Sequence, residues 1–188
     1  MKKLHLTSPI PPSVNSYLNY RIASSGRKKF VSIYSSPETV AYKNFFVDYV
    51  KDQMMEQEWI RPEKGKLVYV QLTFFLDRKR KDPSNFLKVP FDALTEAGVY
   101  TDDDIALPLT PRLYIDAKNP RIEIEIFESE AIGIFENEND YYSFINNNCM
   151  KCKKKMESCS ILKRLLDNRL IEEVDGRTCL KKKSQRGS

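Results

Sequence analysis

The sequence is poor in several residue types that particular functions require. It holds one histidine, His5, one tryptophan and six glycines in 188 residues, and no cysteine before position 149. A single histidine argues against catalysis built on histidine pairs or triads. The low glycine content excludes a collagen-like chain, and a 41% hydrophobic, 30% charged composition is that of a folded domain rather than a disordered one. No apolar run approaches the roughly 18–20 residues needed to span a bilayer. Lys2 and Lys3 begin the chain with positive charge, but Pro9, Pro11 and Pro12 arrive before the apolar stretch of a secretory signal can form. The expectation is a soluble, cytoplasmic, intracellular protein without a membrane partner.

The net charge of +5 is unevenly placed. Residues 1–130 are almost neutral, residues 131–150 carry acids and no bases, and residues 151–188 are strongly basic. Within the nearly neutral body, Arg27-Lys28-Lys29 and Arg78-Lys79-Arg80-Lys81 form two basic clusters. Such clusters suit a polyanionic partner.

Hydrophobic periodicity gives the architecture. Residues 2–7 alternate as a short strand and the run from Arg27 to Tyr34 follows as an extended segment. Ser36 offers an N-cap and Pro37 a first helical residue, after which Tyr42, Phe45, Phe46, Tyr49 and Val50 fall on one helical face. Lys66 to Leu76 reads as a central strand and Asp82 to Ala97 as a second helix stopped by Gly98. Pro90 predicts a kink there, or a helix that begins close to it. Two more strands, Ala106 to Ala117 and Arg121 to Phe127, are joined by the turn Lys118-Asn119-Pro120. Strands and helices interleave without strict βαβ repetition, so the predicted class is α+β, a mixed β-sheet packed by helices.

The chemistry is concentrated between Asp77 and Asp104. A strand delivers a basic cluster and Asp82; a helix bearing Lys88 and Asp92 then leads to the triplet Asp102-Asp103-Asp104. Carboxylates from two separate elements suit a hard cation such as Mg²⁺, which takes oxygen ligands and keeps several waters. Neighbouring arginines and lysines would hold phosphates while the metal activates water. Taken alone, each piece also has a plainer meaning: a basic run is most often a solvated loop, and an Asp triplet after a helix is most often a turn.

The linked pattern is more specific than its pieces. Arg80-Lys81-Asp82-Pro83-Ser84-Asn85, then Lys88, the run from Phe91 to Tyr100 and Asp102-Asp103 resemble the RusA family of Holliday junction resolvases. The opening Pro11-Pro12-Ser13-Val14-Asn15-Ser16-Tyr17 resembles that family's beginning as well, and the likeness covers roughly residues 3–127. The resemblance implies a RusA-like fold and a homodimeric, Mg²⁺-dependent endonuclease, with Mn²⁺ as a substitute, that nicks branched DNA symmetrically. It implies a phage or prophage origin. It assigns Asp82 and Asp103 as metal carboxylates, Asp102 as their helper and Lys88 as the essential lysine. Arg78, Lys79, Arg80 and Lys81 would bind DNA, with Lys28 and Lys29 as weaker candidates. One position departs, because Ser84 stands where the family's second Asp is usual. Either Asp102 or Asp104 compensates, water fills the place, or the protein binds junctions with reduced cleavage. Tyr17 is read as a core residue or a base-stacking one.

The remaining chain lies outside the likeness. The expected division is an endonuclease domain at 1–128, a polar linker at 129–148 in which Tyr141, Tyr142, Phe144 and Ile145 could dock a short helix, a cysteine-rich basic extension at 149–183 with Ile161, Leu162, Leu165, Leu166 and Leu170 on one helical stripe, and a disordered end at 184–188. The cysteines run Cys149-x₂-Cys152-x₆-Cys159-x₁₉-Cys179. Clustered thiols inside a cell favour metal ligation over disulfides, and Cys-x₂-Cys is a common half-site for tetrahedral zinc. Zinc, free thiols and an iron–sulfur cluster all remain open at this point.

Overall fold

A computed structural model describes residues 2–25, 28–63, 66–150 and 152–182. The chain divides into two compact units, Met1–Glu128 and Ser129–Ser188. Arg27, Lys151 and the expected disordered end lie outside the described residues.

The first unit is built in the order β1 (Lys3–Pro9), β2 (Leu18–Ser25), β3 (Lys28–Ser35), α1 (Pro37–Glu56), β4 (Val68–Leu76), α2 (Lys88–Ala97), β5 (Ala106–Ile115) and β6 (Arg121–Glu128). Its main sheet has the order β1-β6-β4-β5, with β4 parallel to β5 and antiparallel to β6, so the sheet is mixed as expected. Alternation explains the layering. Val68, Val70, Leu72, Phe74 and Leu76 of β4 are buried, as are Ile122, Ile124 and Ile126 of β6 and Leu4 and Leu6 of β1. They form one core with Tyr42, Phe46, Val47 and Val50 of α1 and Val89, Ala93 and Leu94 of α2.

Four local features differ from the sequence reading or add to it. The turn at 118–120 forms, with Asp116 Oδ1 accepting from the N–H groups of Lys118 and Asn119 at 3.2 and 3.1 Å. The strands it joins nevertheless do not pair with each other. The crossover through α2 lays β5 parallel on one side of β4, leaving the other side for β6. Phe45 is exposed and stacks on Tyr49, while Val47 takes its place in the core. The helix expected from Asp82 is two elements, a 3-10 turn at Pro83–Phe86 and α2 from Lys88. Pro90 therefore sits in the first turn of α2, where its missing N–H has no intrahelical partner to lose. Finally, β2 was not anticipated. It pairs only with β3, in a separate two-stranded sheet whose residues are largely exposed, so burial leaves no period in its sequence.

In the second unit, residues 129–148 are structured rather than a linker. Asn137 caps α3 (Glu138–Phe144) by accepting from the Asp140 N–H, and a π-helical turn, Ile145–Cys149, continues it. α4 (Ser160–Leu166) follows, then a short hairpin of β7 (Val174–Asp175) and β8 (Thr178–Cys179). Phe135 and Phe144 join Ile161 and Leu165 in a small core, with Tyr141 packed against it, so the aromatics set among asparagines do dock a short helix. Leu170, expected on the helical stripe, lies beyond α4 and is exposed. Among the described residues no helix is long and apolar enough to cross a membrane.

Candidate active site

The basic turn, α2 and the acidic triplet follow one another along the chain, and three of their side chains meet. Lys88 is the first residue of α2, and its Nζ donates to Asp92 Oδ1 at 2.7 Å, one helical turn along. The same Nζ lies 4.0 Å from Asp103 Oδ2. These carboxylates, Asp92 first, hold the Lys88 ammonium above its ordinary pKa of 10.5, and Tyr17 adds to the shift. Asp92 was not among the predicted site residues. Its i, i+4 spacing from Lys88 was the available signal.

Asp82 is held differently. It caps the 3-10 turn, and its Oδ1 accepts both the Ser84 N–H at 3.0 Å and the Ser84 hydroxyl at 2.8 Å. The hydroxyl and the backbone N–H keep the Asp82 carboxyl below its usual 3.8. Ser84 thus orients a carboxylate at the position where a second carboxylate was expected. Both bonds go to Oδ1 and neither to Oδ2.

The turn that follows α2 places Asp103. Gly98 closes the helix with φ +85, a conformation that suits glycine. Arg61 donates to the carbonyls of Gly98 and Tyr100 at 3.1 and 3.3 Å, and Trp59 Nε1 donates to Val99 O at 3.0 Å. Asp102 then turns its carboxylate back on the chain, where Oδ1 accepts the Asp103 N–H at 2.8 Å. In this state Asp102 is a cap and Asp103 is the carboxylate facing Lys88. Asp104 is exposed.

The opening proline-rich motif belongs to the same neighbourhood. The Val14 N–H donates to Asn85 O at 2.9 Å, tying residues 11–17 to the turn after Asp82. Tyr17 packs partly buried against the core and its carbonyl accepts the Ser36 N–H at 2.9 Å, so it stands at the root of the β2–β3 hairpin.

The predicted DNA-binding residues separate into three groups. Arg78, Lys79 and Arg80 are exposed on the turn after β4, and Arg80 adopts a left-handed φ of 66°. Lys81 is already paired, with Asp77 Oδ1 at 2.6 Å. Lys28 and Lys29 lie at the far end of the hairpin, eight-residue strands away from its root, about 25 Å at the usual rise per residue.

The donor set fits a hard divalent cation in type, since it consists of carboxylates on two elements. Among the described residues no group of three or more His, Cys, Asp or Glu side chains is gathered closely enough to hold a metal ion by itself. A cation here would take Asp82 and Asp103 and complete its shell with water and substrate oxygens.

Comparison with known proteins decides the family. The family model described as endodeoxyribonuclease RusA matches residues 9–127, well over half of the chain. The chain belongs to the RusA family. A crossover junction endodeoxyribonuclease RusA of Enterobacteria phage 82 is 30% identical over 135 residues, covering 68% of this chain and 97% of that protein. The proteins of that name from Escherichia coli K12 and Escherichia coli O139:H28 are 30% and 29% identical, with the same two coverages. The family match ends at Phe127, beside the boundary of the first unit.

Proposed function

We propose that the chain is a crossover junction endodeoxyribonuclease, a Holliday junction resolvase that nicks four-way DNA junctions by metal-dependent phosphodiester hydrolysis. The observation that carries this reading is the meeting of Lys88, Asp92 and Asp103, which together with the Ser84-clamped Asp82 fall within the family match. Asp82 and Asp103 would hold Mg²⁺, which when bound supplies Lewis acidity and a water of lowered pKa. Lys88 presents a fixed positive charge to the scissile phosphate as negative charge develops there, and Asp92 positions that ammonium. Arg78, Lys79 and Arg80 hold backbone phosphates; Lys28 and Lys29 reach a more distant stretch of DNA. Cleavage leaves a 5′-phosphate and a 3′-hydroxyl.

A homodimer fits both the substrate's near-twofold symmetry and the surface of the first unit. Tyr20, Ile22, Phe30, Val31 and Ile33 stand exposed on the β2–β3 hairpin, and Leu113, Tyr114 and Ile115 are exposed on edge strand β5. Each is an apolar surface of a kind that a monomer seldom leaves in water. The opposite edge is already covered: Gln57 exchanges hydrogen bonds with the His5 backbone, and Tyr49 accepts the Thr7 N–H. The occupant we assign to the open side is a second copy of the chain.

The direct test is cleavage of a labelled synthetic four-way junction in Mg²⁺ and in Mn²⁺, with linear duplex as control. Paired symmetric nicks, lost in Asp82→Asn and Asp103→Asn, are the expected result. Equal cutting of linear duplex would overturn it. The departure at Ser84 supports a second reading, a junction-binding protein whose cleavage has faded. Tight binding without nicks, with cutting gained in Ser84→Asp, would favour that reading.

A further inference from the structure

The second unit lies wholly outside the RusA match, and its four cysteines come from three separate segments. Cys149 ends the π-helical turn after α3, and Cys152 follows one turn later, its N–H donating to Cys149 O at 3.0 Å. Cys159 immediately precedes α4, and Cys179 ends β8. All four are thiols, each partly buried, and all four line one cavity of ≈ 310 Å³. Buried Asn148 ties the first segment to the last. Its side-chain amide donates to Phe144 O at 3.0 Å and Arg177 O at 2.9 Å, and its Oδ1 accepts the Cys179 N–H at 3.0 Å.

The geometry points to a structural zinc site formed by Cys149, Cys152, Cys159 and Cys179. Spacing and softness both select the metal. A Cys-x₂-Cys turn with two further thiolates is a closed tetrahedral set that zinc accepts, while Mg²⁺ would refuse sulfur. Four thiolates around Zn²⁺ leave two negative charges, and Lys154, Lys181 and Lys182 line the same cavity to offset them. Asn148 plays the outer role, fixing the backbone of two ligand-bearing segments. As they stand, no three Cys, His, Asp or Glu side chains among the described residues are gathered closely enough to hold an ion, so metal binding would have to draw the four thiols inward. A unit whose buried core is largely Phe135, Phe144, Ile161 and Leu165 has much to gain from such a link.

The test uses the full chain, purified anaerobically and reduced. Elemental analysis should find one zinc per chain. After chelation, Co²⁺ titration should give sulfur-to-cobalt charge-transfer bands and the strong visible bands of a tetrahedral site, bleached by one equivalent of Zn²⁺. A carboxylate site in the first unit would give only weak octahedral bands, so the two sites are separable. Asp82→Asn should leave the sulfur-to-cobalt and tetrahedral bands unchanged, and Cys152→Ser should weaken the binding that gives those bands at least tenfold. Thiol-reagent counting on the unmutated chain should show four cysteines protected with zinc and reactive without it. Zinc below a tenth of an equivalent with no sulfur–cobalt bands, bound iron in its place, or four thiols equally reactive with and without zinc would each overturn the proposal.

Discussion

Replacing Lys88 with methionine separates a catalytic lysine from a helical salt bridge, because the two roles differ in magnitude. As a surface pair, Lys88 and Asp92 are an i, i+4 contact with side chains 48% and 33% exposed. Contacts of that kind contribute about 0.3–0.5 kcal/mol to stability after solvent screening, which corresponds to about 1–2 °C in the melting temperature of a domain this size. As a charge placed beside the scissile phosphate, the same ammonium is comparable to one preorganised donor in an active site. Removing such a donor costs about 10²–10³-fold in rate, or about 3–4 kcal/mol of transition-state stabilisation. The expected result for Lys88→Met is therefore junction cleavage down by about 10²–10³-fold, junction binding nearly unchanged and melting within about 2 °C of the parent chain.

The assay is single-turnover nicking of a labelled junction at saturating protein, with binding measured separately in Ca²⁺. Asp92→Asn should lose less than Lys88→Met, because it frees the ammonium without removing it. The pH profile gives an independent check. The folded pKa of Lys88 is raised above 10.5, so the pair's stabilising contribution is fully present below 10.5 and lost only as pH rises through that higher value. Lys88 should thus add no inflection to the rate at neutral or mildly basic pH. Cleavage by Lys88→Met at more than about a tenth of the parent rate would refute the catalytic role, since that loss is too small for a preorganised charge.

Three further outcomes follow from the geometry. Ser84→Ala removes the 2.8 Å hydroxyl bond to Asp82 and keeps the backbone one, so the Mg²⁺ concentration for half-maximal cleavage should rise about tenfold; an unchanged metal titration would mean that the hydroxyl does not orient the ligand. Ile22→Glu combined with Val31→Glu places two charges opposite each other on the exposed hairpin and should yield a monomer by light scattering, whereas a persistent dimer would put the interface elsewhere. In Gly133→Ala the added Cβ would run into the Leu165 carbonyl oxygen at a φ of +56°. Left-handed strain and backbone displacement together should cost the second unit about 2–5 kcal/mol, read as a lowered unfolding transition with junction cleavage retained; an unshifted transition would refute the packing argument.

Strands with one buried face were legible because burial writes a period into their sequences. β4 and β6 alternate through their whole lengths and were placed within two residues of their observed bounds. β2 has no buried face, so its residues answer to whatever covers the hairpin and nothing in this chain shows a period. The pairing order was hidden for another reason. A short turn between two strands usually makes a hairpin, but here the parallel crossover had already claimed one side of β4. In the site, residue types and order were legible and mutual contacts were not: Asp92 reads as one more helical acid until Lys88 is seen donating to it.

Ser84 shows why a tally of charges is a poor guide to a metal site. Counting alone makes the position a loss, one formal negative charge fewer for a divalent cation. The geometry adds an opposing effect, since an aspartate at 84 would offer Asp82 its backbone N–H alone, whereas serine offers two donors to the same oxygen. Two donors fix the carboxylate's rotation and favour its charged form, and a ligand already oriented loses less freedom when the metal arrives. The trade is therefore between ligand number and ligand preorganisation. Mg²⁺ ordinarily keeps several waters and needs only one or two protein carboxylates, so ligand number is the less restrictive requirement. On this argument the serine leaves a working site, and its signature is metal affinity that depends on the hydroxyl rather than cleavage that is absent.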